Sequence, residues 1–229
     1  MANCAKDVLA KAKGEVGYTR WGDPKEGTKY GRWFAKLKKN SYYGENGIPY
    51  CAMFVSWVFD QVGAKCVGLP EAYCPSIYAA AKKAGKLVDK RKAKPGDVVL
   101  FDWNKDGVCD HVGIVRKNNG VNLSTVEGNT SRQDQSNGGT VANRVRAWSS
   151  VKAIVRPSYR RPETYRTNRT RYLYSKPSTR SKRIVKIPKG STLDYLKEAK
   201  GVWRKCSYKG KHGWVASTSD ALKVSKWSD

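Results

Sequence analysis

Histidine is scarce in this chain, with two residues in 229. Only His111 precedes residue 159, so the longer N-terminal part has a single imidazole for acid–base work. No apolar run approaches the ~20 residues that a bilayer-crossing helix needs. No heptad or collagen-like period runs through the chain, and 11% aromatic residues are too many for a wholly disordered one. A Cys-x-x-Cys pair is missing, which argues against a zinc ribbon or a thioredoxin-type site. The N-terminus lacks the uninterrupted apolar stretch of a secretory leader, because charges break it every few residues. The expectation is therefore synthesis in the cytoplasm without a signal peptide. The six cysteines, at 4, 51, 66, 74, 109 and 206, are then expected as reduced, partly buried thiols.

Acidic residues are also few. Nineteen Asp and Glu face 45 Lys and Arg, a formal net charge of +26, which calls for a polyanionic partner or surface. Residues 1–158 hold 26 basic and 14 acidic side chains, and the last 71 residues hold 19 and 5, so charge is denser in the shorter part.

Residues 3–17 have helical spacing, through Val8, Leu9, Ala12 and Val16. A Gly-rich aromatic loop is expected next, through Trp21, Tyr30, Trp33 and Tyr42–Tyr43. The run 51–62 is apolar on nearly every face and reads as a buried central helix, with Pro49 before it and Gly63 after it. Another helix is expected over 75–84. Strand-like runs follow at 97–102, 111–117, 122–127 and 152–156. Helices first and an antiparallel sheet after predict an α+β domain over 1–156. Residues 157–170 are rich in Pro and charge and read as a linker. Short runs at 171–174, 183–187, 192–197, 202–208 and 213–216, separated by turns, predict a small all-β barrel or sandwich over 171–229.

Cys51 stands at the first turn of the central helix, where the helix dipole favours a thiolate. A thiolate needs a partner to protonate the leaving group, and His111 opens a strand that could face it. A third group must orient the imidazole, and Glu127 and Asn129 close the next strand. Taken singly, each has a plain structural explanation: a small core thiol, a strand-end imidazole, a turn. Their order along the chain favours catalysis.

The blocks Tyr50-Cys51-Ala-Met-Phe-Val-Ser-Trp57, Lys94-Pro-Gly-Asp-Val-Val-Leu-Phe101, Asp110-His111-Val-Gly-Ile-Val115 and Glu127-Gly-Asn129-Thr together resemble the CHAP family. These are cysteine, histidine-dependent amidohydrolases/peptidases that cleave peptidoglycan. The resemblance implies a papain-like fold, with N-terminal helices packed on an antiparallel sheet. It implies Cys51 as nucleophile, His111 as base, Glu127 as orienting acid and Asn129 as a fourth polar member. Papain-like wall peptidases of another kind orient the base with a second histidine, which this domain lacks. The family includes muramoyl–L-alanine amidases and endopeptidases, and both remain open.

Asp102-Trp-Asn104-Lys-Asp106-Gly-Val-Cys-Asp110 matches the opening of a calcium loop, without its closing Glu. Asp102, Asn104, Asp106 and Asp110 are the calcium candidates, beside the alternative of a plain Asp/Asn/Gly turn. Zinc on Cys109 and His111 is the poorer choice, since it would consume the general base. No cofactor is otherwise required.

Residues 171–224 are similar to bacterial SH3-type domains, mainly through Gly-Lys-His-Gly-Trp214-Val. The resemblance implies a small SH3-like barrel that binds cell wall. Tyr174, Tyr195 and Trp203 are then candidate substrate-binding residues, Trp214 a core residue, and His212 an exposed turn residue. The whole chain looks like a phage endolysin acting on Gram-positive peptidoglycan and anionic wall polymers. It is expected as a monomer made in the infected host's cytoplasm, with no nucleic-acid or membrane partner. A basic nucleic-acid-binding protein and a non-catalytic wall-binding protein are the alternatives.

Overall fold

In the computed structural model, which describes residues 5–135, 137–159, 164–217 and 222–224, helices lead the chain. They are α1 (Ala5–Gly14), α2 (Lys29–Lys38), α3 (Cys51–Gln61) and α4 (Cys74–Lys83). Residues 3 and 4 of the expected first helix, and with them Cys4, lie outside the described residues. The chain divides into two compact units, Ala5–Tyr159 and a second that begins at residue 160.

Helix α2 replaces the aromatic loop expected from the sequence. Thr28 caps it, its hydroxyl accepting from Gly31 N at 3.0 Å, and Tyr30 and Phe34, one turn apart, are buried. Gly31 made this stretch read as a loop. It is needed because a Cβ there would collide with the Tyr43 carbonyl.

Six strands follow in the first unit: β1 (Leu87–Val88), β2 (Val98–Phe101), β3 (His111–Asn118), β4 (Asn122–Thr130), β5 (Thr140–Ala147) and β6 (Val151–Val155). They form one sheet in the order β1-β6-β2-β3-β4-β5, with every neighbouring pair antiparallel. Val98, Leu100, Val112, Ile114, Val126 and Val155 join the helices in the main core. Val99, Phe101, Val115, Leu123, Val151 and Ile154 form a second cluster with Trp148. This alternation is the period-two signature of strands buried on both faces. Eight residues of α3 are buried, each large apolar one contributing about 1.5–3 kcal/mol. Gly128 lets α3 approach β4, since a Cβ there would lie 2.6 Å from the Phe54 Cβ.

The second unit is a seven-stranded sheet. Its strands are β7 (Thr164–Thr167), β8 (Arg171–Tyr174), β9 (Arg183–Ile187), β10 (Thr192–Lys200), β11 (Trp203–Tyr208), β12 (Lys211–Ala216) and β13 (Leu222–Val224). Their order is β13-β7-β10-β11-β12-β8-β9, around a core of Tyr165, Leu173, Ile187, Leu193, Cys206 and Val215. Strand β7 falls inside the segment read as linker, 157–170. Its Thr-Tyr-Arg-Thr alternation pairs with β10, whereas Pro and charge dominate the residues around it. Residues 160–163 of that segment lie outside the described residues.

Candidate active site

His111 is completely buried, and so are Glu127 and Asn129. Strand pairing explains how the first two meet. Gly113 lies opposite Glu127 across the β3–β4 ladder, and His111 is two residues from Gly113 on the same face. A Cβ on Gly113 would lie 2.6 Å from the Glu127 Cγ, so the missing side chain leaves the carboxylate room to cross its neighbour. The His111 Nε2 then donates to Glu127 Oε2 at 3.1 Å. Phe101, paired with His111 across β2–β3, and Trp103 flank the imidazole, each ring 6.0 Å away.

Cys51 is the first residue of α3, 7% exposed, and no side chain caps that helix start. The backbone N–H groups there point towards the free end of the helix. Nε2 of His111 is held by Glu127, which leaves Nδ1 for the thiol. Nδ1 is buried without a hydrogen bond, and Cys51 is among the groups whose presence shifts the imidazole. Burial works against the imidazolium. Hydrogen bonding to Cys51 and Glu127, together with their charges, outweighs it and raises the His111 pKa to about 9. Burial likewise opposes ionisation of Glu127. Hydrogen bonds and charge from Arg146 and His111 overcome it, and the carboxyl is held well below the usual range.

Arg146 was not apparent from the sequence. It is 4% exposed, donates through Nε to Glu127 Oε1 at 2.9 Å and through Nη2 to Glu127 Oε2, and lies 4.7 Å from the Trp103 ring. Thr125 donates to Glu127 Oε1 at 2.5 Å. Strand β5, which carries Arg146, was not expected either. Val145 points outward at 63% exposure while Arg146 points in, so at this end of the strand burial runs against hydropathy.

Asn129 has a left-handed backbone (φ 58°) where the β4–β5 register shifts. Such an irregularity re-aims a side chain. The side-chain bonds described for Asn129 run to Arg20 and Asn137: its Oδ1 accepts from Arg20 Nη2, and its Nδ2 donates to Asn137 Oδ1 at 3.2 Å. The structure thus joins His111 directly to Glu127, with Cys51 among the groups that act on the imidazole, and ties the Asn129 side chain to Arg20 and Asn137.

Residues 41–129 match the CHAP domain and residues 169–220 the bacterial SH3 domain. The chain carries a CHAP domain followed by a bacterial SH3 domain. This domain pair supports a peptidoglycan hydrolase, a cell-wall amidase or peptidase. No curated protein matches the chain. Among solved structures it is similar to "The crystal structure of Ly7917", at 14% identity and a TM-score of 0.39, covering 96% of each chain. It is also similar to "Structure of NlpC2 from Trichomonas vaginalis", at 13% identity and 0.26, covering 56% of this chain and 44% of that one.

The calcium candidates bond to groups of their own loop. Asp102 Oδ2 accepts from Gly107 N at 3.1 Å and Asp110 Oδ2 from Trp103 N at 2.5 Å. Asp106 accepts from Val108 N and from the Asn104 amide. Among the described residues no three His, Cys, Asp or Glu form a metal-holding group. Five cysteines are described, all buried and unpaired; Cys74 donates to the Cys109 carbonyl at 2.9 Å.

In the SH3 domain, Tyr174 and Trp203 form an edge-to-face pair at 5.5 Å, half-buried. Tyr195 instead packs on Tyr165 at 5.3 Å against the core. Trp214 is 6% exposed, with Lys200 and Lys205 over its ring. His212 is exposed, but on strand β12 rather than in a turn. No described helix is long and apolar enough to cross a membrane.

Proposed function

We propose that the chain cleaves an amide bond in the stem peptide or cross-bridge of Gram-positive peptidoglycan, with Cys51 as nucleophile. The observation that carries this reading is His111, buried between Cys51 and Glu127 with its proton held tightly. The Cys51 thiolate adds to the carbonyl carbon, and backbone N–H groups at the α3 start receive the developing oxyanion. The C–N bond breaks as His111 Nδ1 delivers its proton to the amine, leaving a thioester on Cys51. Neutral His111 then takes a proton from water, hydroxide attacks the thioester, and the product leaves as a carboxylic acid. Glu127 keeps the imidazole oriented throughout, and Arg146 keeps Glu127 ionised. Asn129 supports the flank of the site.

The SH3 domain delivers the catalyst to the wall, with Tyr174 and Trp203 as its aromatic contact and its basic surface drawn to anionic polymers. Tyr195 contributes to that domain through its core packing. Endolysin action during phage release is the biological setting this proposal favours. Calcium at Asp102–Asp110 is a separate proposal, tested by titrating activity against a chelator. The main test is turbidity of Gram-positive wall suspensions with and without a thiol alkylator, followed by mass spectrometry of the fragments. Clearing that the alkylator stops, with new amine and carboxyl ends, is the expected result. Clearing that survives alkylation overturns the thiol mechanism.

A further inference from the structure

Three arginines of the CHAP domain unit have carboxylate partners: Arg32 with Asp23, Arg146 with Glu127 and Arg156 with Asp97. Arg20 has none among the described residues. Its Nη2 is spent on two neutral amides, Asn129 Oδ1 and Asn137 Oδ1 (2.8 Å), and its Nε is shielded from water without a hydrogen-bond partner. A half-buried guanidinium in this state carries a charge that nothing nearby neutralises, although such charges are normally paired.

Arg20 also lines a cavity of about 310 Å³, together with Trp21, Gly27, Thr28, Asn46 and Gly47. Trp21, at the cavity, is 73% exposed. The cavity adjoins the proposed chemistry. Arg20 touches Asn129, and its guanidinium carbon is 5.7 Å from the ring of Tyr50, the residue bonded to Cys51. The segment is fixed in place rather than free to swing. Arg20 N donates to Gly139 O at 2.8 Å, and Thr19 bridges Thr140 on β5. Gly139 has no side chain where a Cβ would lie 2.8 Å from the Trp21 ring.

We propose that this cavity is a substrate subsite in which Arg20 receives a carboxylate of the peptide being cleaved. The inference rests on the hydrolase reading for its substrate, and it names the chemistry that reading leaves open. A carboxylate matches the unneutralised charge of the guanidinium, and Trp21 offers an apolar wall for the carbon chain behind it. A peptide substrate supplies such a group as a free carboxylate on a side chain or at its end.

The test uses two synthetic stem peptides that differ only in that group, carboxylate or carboxamide. Each is titrated into the full chain carrying Cys51→Ala, so that binding is read without turnover. The carboxylate peptide is expected to bind about tenfold or more tightly, as for a hydrogen-bonded ion pair. Adding Arg20→Gln should erase the difference, while Arg20→Lys should keep part of it. Equal affinity for both peptides, or binding of neither, overturns the subsite even if Arg20→Gln fails to fold. Tighter binding of the carboxylate peptide with no cleavage of either by the unsubstituted chain would instead count against the hydrolase reading, and the subsite would stand.

Discussion

Arg146 and Glu127 are joined at two points, Nε to Oε1 at 2.9 Å and Nη2 to Oε2, in a pocket closed to solvent. The pair fixes both the charge and the direction of the carboxylate that holds His111. Removing Arg146 would leave the buried Glu127 charge with His111 alone to offset it. Arg146→Met is therefore expected to destabilise the CHAP domain by about 3 kcal/mol, read from urea unfolding. Arg146→Lys should recover only part of the stability, because an ammonium cannot make the two-point contact.

Cys51→Ala and His111→Ala should each abolish wall hydrolysis. Cys51→Ala removes only a thiol from a tight helix start, so its thermal unfolding should match that of the unsubstituted chain. Residual clearing of walls by purified Cys51→Ala would place the chemistry elsewhere.

The pH dependence has two limbs. The folded state raises the His111 pKa from 6.5 to about 9, so the stability it contributes is complete below about 6.5 and is lost as pH rises through about 9. Glu127 is the reverse. Its folded pKa is depressed from 4.5, so its contribution is complete above about 4.5 and is lost as pH falls towards about 2. Turnover should fall on the alkaline side with His111. Glu127→Gln removes a charge that supports the imidazolium, so its alkaline limb should move to lower pH in a kcat profile. An unmoved limb would show that another group titrates.

Gly113→Ala places a methyl group against the Glu127 side chain. The expected cost is about 1–3 kcal/mol, with loss of activity beyond what the loss of folded protein explains. Paired measurements of unfolding and of specific activity on walls separate the two effects.

The positive charge of +26 should make wall lysis salt-sensitive. Going from 0.1 to 1 M salt shortens the screening length from about 10 Å to about 3 Å. Lysis of intact walls should slow accordingly, while cleavage of a small soluble peptide should change much less. Equal sensitivity of the two would remove steering as the reason for the charge.

How far the sequence could be read depended on whether burial followed hydropathy. Helix α3, β2 to β4 and β8 to β12 were visible because their apolar residues are the buried ones. Cys51 and His111 open two of those elements and Glu127 lies within a third, so all three could be placed with them. Helix α2 was hidden by Gly31, whose reason is a contact with Tyr43 far along the chain. Strand β5 was hidden because it buries an arginine and exposes a valine. Arg146 and Arg20 were invisible for a related reason: each is defined by a partner from another segment, and one arginine among many carries no local mark. The calcium pattern is one that turns share. Its Asp and Asn side chains suit a turn as well as a metal, and here they accept from the turn's own amides.

The notch at Gly113 ties reactivity to strand register. Slipping β3 against β4 by one residue would turn Glu127 to the opposite face and leave His111 without it, while every residue of the site was still present. A misfolded copy would then be inert rather than merely slow. Specific activity thus becomes a sensitive gauge of native pairing, and during refolding it should appear in step with protection of the β3–β4 amides from hydrogen exchange.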